Sequence, residues 1–506
     1  MLENAFHQPY WHTQTQSPNY PSLNENIQCD AAIVGGGISG LTSALNLCKS
    51  NLNVVLIEMN TIAQSATALS TGHLDNYYDQ QYNKLIKNYG LDTAKTIIHA
   101  KKNAIDTIEN LVNEYNLQCD LRRIPAYLYC EEENDYNLIE KENDSASSLN
   151  INCSITENIP LNFNAKKSLI FPNQARFSPL AYIAGLADAV TKMGGRIFEQ
   201  TTMKSYKHQK DTVLIHTTDG TIEAQNLILC GHTSLTGKLS IQTRIYPMLS
   251  FVIAAEVEDQ VEDALYWDTA VPYHYTRIAA SENPFLLIIG GADCHTGTQQ
   301  DTKQYYTSLL NYADKHYKIK SIPYYWCNEY FEPVDGLPYA GFVPLSSNVL
   351  VAGAYSGDGL TFGTMCAGLI RDLILKKQNP LEQILSPSRF KPIASLPKIT
   401  KIIGHATKHL FVDRISGLDD DFERLHNDQG KIMKIKDHVS AVYKDKQGEL
   451  HVFSAACRHM GCIVQWNSAE QTWDCPCHGG RYDCLGHVIS GPPRDSLKKI
   501  EVFASI

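Results

Sequence analysis

The spacing of apolar positions divides the chain into stretches with different expectations. Ala31–Val34 is a short unbroken apolar run, as in a strand buried on both faces. A helical stretch follows over about 39–50, and Val54–Ile57 repeats the buried-strand pattern. Strand, helix, strand in this order is the unit of a parallel α/β sheet. Residues 244–256 and 271–291 are rich in aromatic and β-branched residues with turn signals between them, which predicts antiparallel strands. Beyond residue 408 only short alternating runs remain, at Lys431–Ile435, Val439–Tyr443, His451–Ser454, Thr472–Trp473 and Ile500–Phe503. They predict a small all-β domain over 409–506, and Pro392 and Pro397 mark 391–408 as a linker.

Between the first strand and helix stand Gly35, Gly37 and Gly40, spaced G-x-G-x-x-G. The first permits a tight turn, the second lets a pyrophosphate approach the backbone, and the third lets the helix pack on the strand. The helix start, at Ile38 and Ser39, offers free N–H groups and a positive dipole end to phosphates. Glu58, at the end of the second strand, is placed to accept hydrogen bonds from a ribose hydroxyl. The pattern predicts dinucleotide binding and does not by itself separate FAD from NAD.

Charge and cysteine usage narrow the picture. The formal net charge is −10 and no Lys/Arg-rich run occurs, which argues against nucleic acid as a partner. No apolar run approaches the ~20 residues of a transmembrane helix. The opening MLENAFHQPYWHT lacks a basic and an apolar region, so a cytoplasmic location is expected. Of 14 cysteines, those in the first 366 residues have no paired spacing and are expected to be free thiols. The rest crowd between Cys457 and Cys484, which suggests a metal. There Cys457 and His459, then Cys475 and His478, give C-x-H…C-x-x-H, one Cys and one His from each of two loops. Two thiolates on one iron and two imidazoles on the other make a Rieske centre, with a potential of roughly −150 to +300 mV. Zinc also accepts two Cys and two His, but zinc fingers usually keep the cysteines together.

The N-terminal part resembles the D-amino-acid-oxidase-like family of FAD-dependent oxidoreductases, especially its glycine- and amine-oxidising members. The likeness lies in the G-x-G-x-x-G unit and in SATALSTG at 65–72, which keeps Ala66, Thr67 and Gly72 of a flavin-side loop. It continues through 174–198, Leu227–Gly231, the loop Glu332–Gly341, Val349–Gly353, YSGDG at 355–359 and an apolar helix over about 360–375. It covers roughly residues 10–390. The resemblance implies a Rossmann-type α/β FAD domain (about 28–90, 165–235 and 330–378) and an antiparallel-sheet, α+β substrate domain (about 91–164 and 236–329). It implies FAD contacts at Gly35, Gly37, Ile38, Ser39, Gly40, Glu58, Thr67, Gly353, Gly357, Gly359 and Leu360. Arg277, Tyr275 and Tyr355 are the catalytic candidates, with Arg277 where some relatives bind a substrate carboxylate. Some relatives attach the flavin to a His; Leu69 stands at that position, so a dissociable FAD is expected, with His73 in a structural role.

CRHMGC and CPCHGGRYD closely resemble Rieske proteins, which makes the C-terminal domain all-β with a [2Fe–2S] cluster. The resemblance implies a disulfide between Cys462 and Cys477, as in respiratory-type members. It also implies that Tyr482 donates to a cluster sulfur, while Gly480 replaces a donating Ser, so a potential below the respiratory proteins is expected. Cys484 is expected to be a packing thiol. Together the two cofactors imply oxidation of an amine or N-substituted amino acid, with electrons passed singly to the cluster and on to an external acceptor. An NAD(P)H-fed reductase for a partner oxygenase is the alternative, but after Leu286–Gly291 the chain continues ADCHTG without a second glycine motif. A redox sensor or electron carrier without turnover is the other. A terminal Rieske oxygenase is disfavoured, since no further domain follows to hold a mononuclear iron.

Overall fold

The computed structural model describes residues 2, 4–233, 241–299, 301–391, 395, 424–435 and 438–500. Its first sheet has the strand order Tyr339–Phe342, Val349–Gly353, Thr221–Leu229, Asn26–Val34, Val54–Ile57, Arg196–Phe198, and a hairpin extends Thr221–Leu229. In this order every pairing but the first is parallel. Such strands are covered on both faces, and Val54–Ile57 is buried throughout. Helix Ile38–Cys48 packs against helix Gly359–Ile374 and helix Pro179–Lys192. Gly40 lets this helix start close against the strand and turn before it, because a Cβ there would lie 1.9 Å from the Gly35 carbonyl oxygen.

The second sheet has ten strands. At its centre Ile245–Val257 pairs antiparallel with both Asn283–His295 and Ile319–Pro333. Helix Lys303–His316 covers one face of these strands, and the functional cavity lies against the other. That two-sided cover is why FVIAA in the middle strand is buried without alternation. Two pairings are parallel, Leu265–Asp268 with Arg122–Cys130 and Phe6–His7 with Ile319–Pro333, so the sheet is mixed towards its edges. Lys167–Arg176 and His73–Leu74 also belong to it. The chain therefore returns to the nucleotide sheet with helix Pro179–Lys192 rather than near residue 165. Arg389 closes this part of the molecule: its buried guanidinium grips Asp335 through two 2.8 Å bonds. The cysteines of the first 366 residues are free thiols, most of them buried.

The C-terminal domain is built from a three-stranded and a four-stranded antiparallel sheet. The four alternating runs before residue 474 fall on strands, whereas Gln465–Asn467, Arg481–Asp483 and Val488–Ser490 are too short to show a period. Of the run Ile500–Phe503 only Ile500 is described, its N–H donating to Val452 O at 2.9 Å; most of the linker 391–408 also lies outside the described residues. The small domain sits on the large sheet. Thr302 Oγ1 donates to Asn467 Oδ1 at 2.6 Å, and Tyr306 OH donates to Glu470 Oε1 at 2.8 Å. Among the described residues no helix is long and apolar enough to cross a membrane.

Candidate functional site

A cavity of about 340 Å³ runs between the two sheets. Gly35, Gly37, Ile38, Ser39, Glu58 and Thr67 line one end, and Gly353, Tyr355, Gly357, Gly359 and Leu360 line another wall. Gly40 stands behind the wall as a packing residue. Gly35 adopts φ +113°, and a Cβ there would strike the Cys230 carbonyl at 2.6 Å, so the tight turn excludes other residues. Glu58 accepts from Gly36 N–H at 2.7 Å and from Asn60 N–H at 3.0 Å. Burial raises its carboxyl, and these N–H groups oppose the rise. Thr67 Oγ1 accepts from Ile38 N–H at 3.0 Å and so ties the flavin-side loop to the helix start. The N-cap residue, Gly37, offers no side chain to the N–H groups that follow Ile38, and a Cβ on Gly359 would meet nothing within 4 Å. Uncapped N–H groups beside open space fit the phosphates and ring of FAD.

The large sheet supplies the facing wall: Ser250, Trp267, Tyr273, Tyr275, Asp293, Asn328 and Tyr330. Tyr275 OH and Ser250 Oγ are 3.0 Å apart, and Tyr330 OH donates to Asp293 Oδ2 at 2.9 Å. Burial pushes the Asp293 carboxyl up to about 6. His274 points to the opposite face, paired with Asp268 at 2.7 Å and stacked on Tyr312. Near the glycine loop Lys101 Nζ pairs with Asp358 Oδ1 at 2.7 Å, with Asp75 and Asp79 beside them. Burial raises all three carboxyls, Asp75 to about 7, and Lys101 opposes the rise.

Arg277 does not reach the cavity. It is fully buried, and its guanidinium donates to the carbonyls of Thr71, Ile278, Ala279 and Phe177 at 2.5–3.1 Å. The expected carboxylate anchor is a clamp on the loop that carries Thr67 and Gly72. Gly72, at φ +74°, is required by it, since a Cβ would lie 2.7 Å from Arg277 Nη2. His73 lines the cavity, with Nδ1 at 3.0 Å from Thr71 Oγ1; burial and the Arg277 charge hold it well below the usual imidazole range. Leu69 lines the cavity where some relatives carry a His. Tyr355 is in the wall, its OH 2.7 Å from Ser39 Oγ, which joins the two halves of the cradle.

Sequence reading missed the acids and Lys101. The signal for Lys101 is present: Ile97, Ile98, Ala104, Ile105 and Ile108 form an apolar stripe, and Lys101 falls within it. A cation there has to meet a buried anion. Asp75, Asp79 and Asp293 carry no such signal, because only the packing of distant segments brings them together.

In the small domain the loops of Cys457–His459 and Cys475–His478 face each other. The two imidazole centroids are 4.9 Å apart, both Nδ1 atoms are buried, and that of His478 has no hydrogen-bond partner. Both thiols are buried, and Tyr482 OH lies 3.3 Å from Cys457 Sγ and accepts from Arg458 N–H at 2.9 Å. Facing mixed pairs of thiols and imidazoles fit a [2Fe–2S] cluster. Cys462 and Cys477 are joined in a disulfide that links the two loops. Gly480 has a packing reason: a Cβ would lie 2.8 Å from Pro493 Cδ and 3.3 Å from Cys457 Sγ, so a Ser has no room. Cys484 is a half-buried free thiol. Arg481 and the segment Ile489–Arg494 extend from this domain into the wall of the large cavity. Asn60 Nδ2 donates to Ile489 O at 3.1 Å, which closes the Glu58 end.

Residues 30–373 match the family described as FAD dependent oxidoreductase (DAO), and residues 419–501 match the Rieske [2Fe–2S] domain. Over 497 residues, 97% of each chain, the protein is 33% identical to a Rieske 2Fe–2S iron-sulfur protein, YhfW, of Bacillus subtilis (strain 168). Over 373 residues, 70% of this chain and 85% of the relative, it is 26% identical to gamma-glutamylputrescine oxidoreductase of Escherichia coli (strain K12). Glycine oxidase from Geobacillus kaustophilus shares the fold, with a TM-score of 0.61 at 17% identity over 72% of this chain and 99% of that one. The protein thus belongs to the FAD dependent oxidoreductase (DAO) family and joins to it a Rieske domain, with FAD and a Rieske cluster as its cofactors.

Proposed function

We propose that the protein oxidises an amine or amino acid at the flavin and passes the electrons singly to its own Rieske cluster, and from there to an external acceptor. One observation carries this reading: the cavity walled by the flavin cradle is also walled by the cluster domain. Pro493 lines that cavity and packs on Gly480, which in turn lies against Cys457 Sγ. Gly479, beside His478, lies against Phe331 and Glu329 of the large sheet. Bound FAD would accept an electron pair from the substrate and return it in single steps. The chain's own part is to hold FAD between Glu58 and the glycine loop without a covalent bond, exclude water, and orient the substrate against the tyrosine wall. The relatives support the substrate class by their names, since gamma-glutamylputrescine and glycine both carry amino groups.

The test is an anaerobic titration of the protein holding both cofactors with a panel of amines and N-methyl amino acids. Flavin absorbance and the Rieske electron paramagnetic resonance signal are followed together. Bleaching by an amine, followed by growth of the cluster signal, is expected. Bleaching by NADH or NADPH alone would replace this reading with that of a reductase. The same experiment at controlled potential should place the cluster below respiratory-type Rieske proteins, because Gly480 supplies no hydroxyl donor.

A further inference from the structure

We propose that the substrate is an amine with no carboxylate beside its reacting carbon, and that Asp293 receives its ammonium group within a wall of Tyr273, Tyr275, Tyr330 and Trp267. This rests on the oxidation of an amino compound argued above and narrows its class. Asp293 Oδ2 accepts from Tyr330, but Oδ1 is buried without a hydrogen-bond partner. A buried carboxylate oxygen left bare in a ligand cavity is costly unless a donor arrives with the ligand. The surrounding tyrosine and tryptophan faces carry negative quadrupole charge and favour cations.

The charge balance points the same way. Asp358 is only 8% exposed, and its Oδ2 is also buried without a partner, while Oδ1 is taken by Lys101. Lys101 faces three carboxyl groups, those of Asp75, Asp79 and Asp358, and burial raises all of them, so this cation is matched by acids and is not left over for a carboxylate. Among the described residues nothing comparable awaits a carboxylate. Arg277 is spent on backbone carbonyls. The arginines that do line the cavity belong to the cluster domain: Arg481 is paired with Asp474, and Arg494 donates to the Lys204 carbonyl. A metal cation does not fit the acids. Among the described residues, no group of three cavity carboxylates brings its ligand atoms within 4.8 Å of one another.

The test measures binding, separately from electron transfer. The oxidised protein with both cofactors is titrated with butylamine and benzylamine, and with butyrate and benzoate as carboxylates of matching shape, following the perturbation of the flavin spectrum. The amines are expected to bind at least about tenfold more tightly than their counterparts. Asp293→Asn should weaken amine binding by at least about tenfold, with FAD content and the Rieske signal unchanged. Carboxylates that bind as well as amines, or no binding by any amine, would overturn the proposed class. An Asp293→Asn protein that binds amines like the wild type, or that loses FAD, would overturn the role of Asp293. If the variant does not fold, the wild-type comparison of amine with carboxylate still decides the class. A failure of the cluster to become reduced would leave all these outcomes untouched and would count only against the electron-transfer reading.

Discussion

Arg277 shows why a residue type in the right strand is not yet a role. Its place in a Tyr-x-Tyr-x-Arg alternation resembles a carboxylate anchor, and its side does face the flavin loop. What decides its role is the loop Thr71–Gly72, which brings a carbonyl within 2.5 Å and uses the charge before a substrate can. Arg277→Met should therefore act on stability and FAD retention, with a loss of about 3 kcal/mol because buried carbonyls are left without donors. Thermal denaturation and the flavin-to-protein ratio measure this. A variant of normal stability and flavin content, impaired only in substrate KM, would restore the anchoring role. At this scale the residues that were legible are those whose task is local. Gly35 and Gly40 answer to the tight passage from first strand to first helix, and Cys457, His459, Cys475 and His478 answer to a spacing. Asp293, Asp75 and Asp79 were not legible, because their meaning comes from segments that meet only in three dimensions.

Among the elements, the opening of the parallel sheet read clearly, since Ala31–Val34 and Val54–Ile57 are unbroken apolar runs on either side of helix Ile38–Cys48. The large sheet read less well at its edges. Lys167–Arg176 looks like part of the return to the nucleotide sheet, yet it pairs with Arg122–Cys130. Strand pairing is a non-local choice that periodicity does not encode. The docking of the cluster domain is of the same kind. Glu470, in the turn after Gln465–Asn467, accepts from Tyr306 at 2.8 Å and lies 3.2 Å from His7 Nε2. Glu470→Ala would leave the buried Tyr306 hydroxyl unpaired, at a cost of about 1–3 kcal/mol to the docked arrangement. Rapid mixing with a bleaching substrate should then show flavin reduction at the wild-type rate and slower growth of the cluster signal. Equal slowing of both steps would mean that this contact supports the flavin site itself.

Taken as a whole, the molecule sets the flavin cavity between its two sheets and the cluster loops near its surface. The flavin cavity lies between the two sheets, with Ile489–Arg494 as a further wall. The cluster loop does meet solvent: Arg458 is exposed and Met460 is 42% exposed on either side of His459. On the route proposed above, electrons bound for a protein-sized acceptor leave through the cluster. Removing the cluster separates this arrangement from one in which the flavin is reoxidised directly. Cys475→Ser deletes a thiolate ligand while leaving the Cys462–Cys477 disulfide and the cavity wall formed by Pro493 in place. Substrate should still bleach the flavin once at an unchanged rate. Steady-state reduction of cytochrome c, a one-electron acceptor too large to enter the cavity, should fall by more than about tenfold, since each tenfold loss in rate needs only about 1.4 kcal/mol of added barrier. Wild-type turnover with cytochrome c in a protein that has lost its Rieske signal would show that electrons leave the flavin by another path, and the shared cavity would then be a structural joint rather than a route.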